Sequence, residues 1–231
     1  MFARISKYII WGSYFYFSFL LLLITLQYIP YNTDVAFLRI KQDEIALDYY
    51  KVAFFTHVYT SIFLMLLGFL QFSKTIKRKY INMHRWSGRL YVLIIIFLSG
   101  PSGFVMSYHA NGGIFSKTAF VILSVLWMSF TFLSIYYILK KDVINHQKFA
   151  IRSFALTLSA ISLRLFKYII VFLFQPQQME VYRIVAWLGW TFNLLVAEIS
   201  IIYFISKKII GKIIRSHLKF TLFFIKQSIG S

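Results

Sequence analysis

Residues 118–139 read TAFVILSVLWMSFTFLSIYYIL, a run without a single charge. At about 1.5 Å of rise per residue it makes a helix about 33 Å long, enough to cross the hydrocarbon layer of a bilayer. Its apolar side chains go all round the helix, whereas a soluble helix is apolar on one face. Lys117 precedes the run and Lys140-Lys141 follow it, so charge bounds both ends. Five more runs of this kind lie outward from it, at 8–30, 52–72, 90–108, 149–174 and 184–206. The runs are continuously apolar and lack the two-residue alternation of a membrane β-barrel. The expected fold is therefore all-α: a polytopic membrane protein with six transmembrane helices, a four-helix core formed by spans two to five, and one integral membrane domain over 1–231. The third run contains Gly100, Pro101 and Gly103, and a proline that cannot donate its backbone hydrogen bond predicts a kink there.

Composition agrees with lipid as solvent. The chain is 59% hydrophobic and 14% charged, against roughly half and a quarter in soluble domains. Arg4 and Lys7 before a long apolar run resemble the start of a signal peptide. The run is too long for one and no small-residue cleavage site follows, so it is read as the first span. The absence of cysteine removes disulfides, thiolate metal sites, iron–sulfur clusters and covalently attached c-type haem.

The formal charge of +18 sits in short clusters between the runs, so it argues topology and a lipid bilayer partner, with no nucleic acid. Seventeen Lys and Arg residues lie in the N-terminus, the 73–89 and 140–148 loops and the tail from 207, whereas Arg39, Lys41, Lys117 and Arg183 lie in the other loops. This bias places both termini in the cytoplasm of a bacterial cytoplasmic (inner) membrane. The external 31–49 loop holds Asp34, Asp43, Glu44 and Asp48 and is expected to be solvated, with at most a short surface helix. The basic 207–231 tail is expected to lie in the headgroup layer as an amphipathic helix.

Four histidines stand at or near the ends of the middle spans. His57 and His109 form an outer pair, His84 and His146 an inner pair. Neutral imidazoles on neighbouring helices of a bundle are suitable ligands for the iron of haem b. Arg85, Arg89 and Arg152 lie where they can meet the carboxylates of an inner haem, and Arg164 those of an outer one, because a planar guanidinium binds carboxylate in a fork. At about 1.5 Å per residue, however, His109 lies roughly 10 Å further out than His57. Ser153, Thr157, Ala160 and Arg164 recur on one helical face, which is expected to face the bundle interior. Arg152 and Glu198 reach similar depth and are candidates for an ion pair.

The stretch His84-Arg85-Trp86-Ser87-Gly88-Arg89-Leu90-Tyr91 resembles the HRWxGRLY signature of a bacterial membrane family catalogued as domain of unknown function 2306. His109-Ala110-Asn111-Gly112-Gly113 is similar to that family's HANGG turn, and 146–157 to its HRRWMIRSxALT segment, with Lys148-Phe149-Ala150 replacing the usual basic-Trp-Met. The resemblance covers roughly 50–200 and brings no settled activity. The helix number and histidine layout resemble the cytochrome b561 superfamily, which implies six helices and two haems for electron transfer. The leading expectation is thus a haem b protein of transmembrane electron transfer, with a redox partner or membrane complex. The competing expectations are a non-catalytic accessory or assembly factor, and a small-solute or proton-coupled transporter that would use Glu198 and His57.

Overall fold

The computed structural model describes the main chain of residues 2–229 and the side chains of Ile5 and 8–206. It is a polytopic α-helical membrane fold, without a β-strand among the described residues. The helices are α1 (Phe2–Leu26), α2 (Asp48–Phe72), α3 (Ile81–Tyr108), α4 (Gly113–Leu139), α5 (Val143–Thr157), α6 (Ser159–Phe174) and α7 (Gln178–Ile229). Five are long and apolar enough to cross a membrane, and α5 and α6, bent by 43° at Leu158, pass the test together as a sixth span. The expected 207–231 tail continues α7; its amphipathic facing lies outside the described side chains. The end of the bundle carrying the 73–80 and 140–142 connections is called the basic end below, the other the acidic end.

Local signals explain the helix ends. Asp142 caps α5 by accepting from the Asn145 backbone N–H at 3.1 Å, and its carboxyl is held below the usual range by that hydrogen bond and the Asn145 side chain. Gly112 has φ 84° and opens α4 from a turn that an L side chain would strain. The kink expected at Pro101 takes the form of a π-helical turn over Ile94–Ser99 just before it, and the span stays continuous. The bend at Leu158 has no glycine or proline. Instead Thr157 Oγ1 donates to the Ser153 carbonyl and Ser159 Oγ to that of Leu156, and such back-bonding competes with the helical ladder. Asn193 of α7 bridges the bend, donating to the Ala155 carbonyl at 3.1 Å and accepting from Ser162 Oγ at 2.8 Å.

The helices pack in sequence, α1 on α2, α2 on α3, α3 on α4 and α4 on α5. Beyond the bend, α6 leaves α4 and packs on α7 and, more lightly, α1. The main core comprises Leu64, Leu67, Tyr91, Ile95, Trp127, Leu156 and Trp190, so α7 joins the core expected from spans two to five. A polar layer runs through it. Tyr91 Oη meets Thr157 Oγ1 at 2.6 Å, Trp127 Nε1 donates to Thr157 at 3.0 Å, and Thr131 meets Ser153 at 2.7 Å. These bonds satisfy hydroxyls that would each cost a few kcal/mol if buried alone.

A second core caps the acidic end. The 31–49 segment forms two short helical turns, Ala36–Ile40 and Gln42–Ile45, which bury Leu38 and Ile45 against Tyr28, Tyr50, Phe54 and Phe55. The segment is thus a folded cap rather than only a solvated loop. Lys41 is 2% exposed, and its ammonium binds the Glu44 carboxylate and the His109 carbonyl at the end of α3.

Candidate functional site

His57 lies about 14 Å along α2 from its acidic end, at about 1.5 Å per residue from Asp48. Its Nδ1 is 2.8 Å from the Ser99 carbonyl of α3. A carbonyl only accepts, so Nδ1 carries the hydrogen and Nε2 keeps its lone pair. Gly103 makes the approach feasible: a Cβ there would lie 2.9 Å from His57 Cε1 and 3.1 Å from Nδ1. Thr60 Oγ1 and Ser61 Oγ meet Ser99 Oγ at 2.7 and 3.2 Å, which fixes the serine that orients the ring.

His146 repeats the pattern at the basic end. Its Nδ1 is 2.9 Å from the Ser134 carbonyl of α4, with Ser134 Oγ at 3.0 Å, again leaving Nε2 as the free lone pair. His84 stands in the first turn of α3; Tyr91, seven residues on, meets Ser153, seven residues beyond His146 on α5, at 3.3 Å, so the two histidines lie at one level of the basic end. The Nδ1 of His84 is buried without a protein partner. Gln71 of α2 holds this turn through the His84 carbonyl at 2.7 Å and Ser87 Oγ at 2.6 Å. The inner pair thus shares one level of the basic end, with one ring oriented from behind and the other carrying a buried nitrogen without a protein partner.

The outer pair is arranged differently. His57 contacts the level of Ser99–Gly103, and His109 lies about 9 Å further along α3 at the usual rise. His109 Nε2 is engaged by Tyr49 Oη at 3.0 Å, and its ring packs edge-on to Tyr50 at 5.0 Å.

The arginines divide as well. Arg152 is held by Glu198 through Nε and Nη2 at 2.5 and 2.8 Å, and its guanidinium lies 5.0 Å over the Phe149 ring. Arg85 is exposed, and Arg89 lies 5.2 Å over the exposed Trp86 ring. Arg164 is exposed and donates to the Ala160 carbonyl of its own helix at 2.7 Å. The bend at Leu158 interrupts the expected polar face. Ser153 and Thr157 are buried in the core, while Arg164 sits on the diverging α6. Among the described residues no group of three or more His, Asp or Glu side chains is placed to hold a metal ion.

Sequence reasoning missed Ser99, Ser134, Gln71 and Asn193. Gln71 and Asn193 had a signal, each being an amide inside an apolar run. The serines act through main-chain carbonyls or as one of many hydroxyls, which leaves no mark in the sequence.

No curated protein and no solved structure matches the chain. The profile of a family described as "Predicted membrane protein (DUF2306)" matches residues 54–201, an interval that contains His57, His84, His109, His146, Arg152, Arg164 and Glu198. The match spans more than half of the chain, and the protein belongs to the DUF2306 family of predicted membrane proteins.

Proposed function

We propose that this protein is a haem b-binding electron carrier of the bacterial cytoplasmic membrane, with His84 and His146 as the residues that would hold the haem at an inner site. The observation that carries the reading is the shared level of these two histidines, two turns from the Tyr91–Ser153 contact on their respective helices, together with the hydrogen bond that fixes His146. An imidazole whose Nδ1–H is bonded to a carbonyl is held in one tautomer, with Nε2 aimed away from its support and made more basic. The buried, unpartnered Nδ1 of His84 fits the same donor chemistry. Haem b at this position would supply reversible one-electron chemistry. The chain's own part is to orient the His146 ring through Ser134, to hold the turn that carries His84 through Gln71, and to offer cations to acidic groups at the edge. Arg85 and Arg89 are exposed in the turns after His84 and suit that task, whereas Arg152 is already neutralised by Glu198. The outer pair is not proposed as a second haem site, because His109 differs in level and its Nε2 is engaged by Tyr49.

The test is an absorption spectrum of protein purified from haem-replete cells. A Soret band is expected, and His84→Ala and His146→Ala should each abolish or shift it. His109→Ala should leave it in place. A colourless wild-type protein, or a Soret band unchanged in His84→Ala, overturns the assignment.

A further inference from the structure

The half of the bundle toward the acidic end carries an open groove of about 510 Å³. One face of α2 forms most of it, from Lys51 and Val52 through Phe55 and Thr56 to Tyr59 and Thr60, the spacing of a single helical stripe. Tyr31, from the segment after α1, and Leu98 of α3 complete the lining. Tyr31 packs on Phe55 with ring centroids 4.4 Å apart, near the mouth. Leu98 precedes Ser99, whose hydroxyl meets Thr60 Oγ1 at 2.7 Å, so it stands at the deep end. Three segments of the chain thus bound one cavity.

The groove is graded in polarity. Lys51 stands in the first turn of α2, at the mouth. From Lys51 to Thr60 the helix rises about 14 Å at the usual 1.5 Å per residue, close to one leaflet of a hydrocarbon layer about 30 Å thick. Hydroxyls along the stripe are turned to the protein. Thr60 Oγ1 donates to the Thr56 carbonyl at 2.6 Å, and Tyr59 Oη to that of Tyr28 at 2.7 Å. Below Lys51 the lining therefore presents mainly apolar surface. The mouth carries both signs of charge: Lys51 Nζ lies 3.1 Å from Asp48 Oδ1, and the Asp48 side chain is 94% exposed. An exposed pair of this kind is weak, so both groups are available to a ligand that brings the opposite charges.

We propose that this groove binds one phosphatidylethanolamine molecule from the leaflet at the acidic end, with its phosphate on Lys51, its ammonium on Asp48 and an acyl chain along α2 to Leu98. Length and grading select a phospholipid, because the groove is charged at the mouth and apolar for the depth of one leaflet. The ion pair selects the headgroup. A phosphate accepts from the Lys51 ammonium, and a primary ammonium donates to the Asp48 carboxylate, both in charge-assisted hydrogen bonds. A choline headgroup has no N–H to donate. A glycerol headgroup brings the phosphate but no cation for Asp48. The groove lies at the opposite end from the inner histidine pair, and its occupancy is independent of haem.

The experiment uses the full chain, purified in detergent and stripped of lipid. The probes are dioleoyl phosphatidylethanolamine, phosphatidylcholine and phosphatidylglycerol, and the readout is native mass spectrometry. Phosphatidylethanolamine is expected to bind about fivefold or more tighter than either of the others, the size of one charge-assisted contact. Lys51→Gln should lower its binding to the level of phosphatidylcholine, and Asp48→Asn should remove its advantage over phosphatidylglycerol. Lys117→Gln, which removes a cation at the same end outside the groove, should change nothing. Thr56→Trp fills the groove, keeps both charges and should displace the lipid; it carries the test if a charge variant does not fold. Equal binding of the three lipids means unselective contact with the bilayer and overturns the site. Tighter binding of phosphatidylglycerol, dependent on Lys51 but not on Asp48, makes the mouth a simple cation site for anionic lipid and overturns the assignment. Unchanged binding in Thr56→Trp puts the lipid elsewhere and overturns the groove.

Discussion

At the scale of single residues, the histidines differ more in what stands behind them than in where they lie. His57 and His146 rest on serine carbonyls, and His109 is tied to a tyrosine hydroxyl. The support of His57 depends on the missing side chain of Gly103. Gly103→Ala places a methyl inside the van der Waals envelope of the ring, so the ring must turn and leave Ser99. Overpacking of this kind costs about 1–3 kcal/mol, and thermal unfolding in detergent should show the loss. A smaller effect is expected from Gly113→Ala, where nothing lies within 4 Å, although its φ of 74° still strains an alanine. The Lys41–Glu44 pair gives a pH test. Burial pulls the Glu44 carboxyl upward, but the Lys41 hydrogen bond and charge outweigh it and hold it below the usual range. A carboxyl depressed in the fold stabilises it above the unfolded pKa of about 4.3 and stops doing so as pH falls through the folded value. Stability should be flat from neutrality to about pH 5 and decline below, and Glu44→Gln should flatten the decline. A decline of the same size in Glu44→Gln would assign it to other carboxyls. The identity of these residues was legible in the sequence, as was the Arg152–Glu198 pair, because matched depth on facing spans brings them together. Their carbonyl partners were not, since every residue carries one.

At the scale of elements, one break was announced and another was hidden. Pro101 cannot donate a backbone hydrogen bond, and the chain answers with a π-helical turn that keeps α3 continuous. The 43° bend between α5 and α6 arises from serine and threonine hydroxyls turning back on main-chain carbonyls, which looks in sequence like an ordinary polar helix face. The cost of the bend is met from another span: Asn193 takes the Ala155 carbonyl and the Ser162 hydroxyl. Asn193→Leu removes both bonds, leaves a carbonyl and a hydroxyl unpaired, and should destabilise the protein by about 1–3 kcal/mol. Ser162→Ala removes one bond and leaves only the Asn193 Oδ1 without its donor, so a smaller loss is expected. A thermal shift no larger for Asn193→Leu than for Ser162→Ala would show that the bend does not depend on the asparagine. The cap at the acidic end was illegible for a different reason. Its buried residues, Leu38 and Ile45, lie in apolar stretches of three or four residues, 35–38 and 45–47, too short to announce a core element in an acidic segment. Only the aromatic surface of Tyr28, Tyr50, Phe54 and Phe55 gives them something to bury against.

At the scale of the whole molecule, apolar run length carried most of the fold, and the number of crossings turns on the bent pair. If α5 and α6 form one span, residues 140 and 177 lie on opposite sides of the membrane; if they form a re-entrant loop, both lie on the same side. The start of α7 stands beside the start of α4. Arg183 Nε donates to the Gly112 carbonyl at 3.0 Å and Trp187 Nε1 to that of Phe115 at 3.2 Å. The end of α6 is therefore at the acidic end and the pair crosses. The chain has no native cysteine, so single cysteines report position without background. In intact cells a membrane-impermeant maleimide should label Asp43→Cys and Gln177→Cys, and should reach Lys79→Cys and Lys140→Cys only after the cells are opened. Labelling of Lys79→Cys or Lys140→Cys in intact cells would invert the charge-based orientation. Shielding of Gln177→Cys together with Lys140→Cys would make the pair re-entrant and put the start of α7 on the wrong side of the bundle. That outcome contradicts the two hydrogen bonds to α4, so the labelling tests the packing of α7 as well as the count of spans.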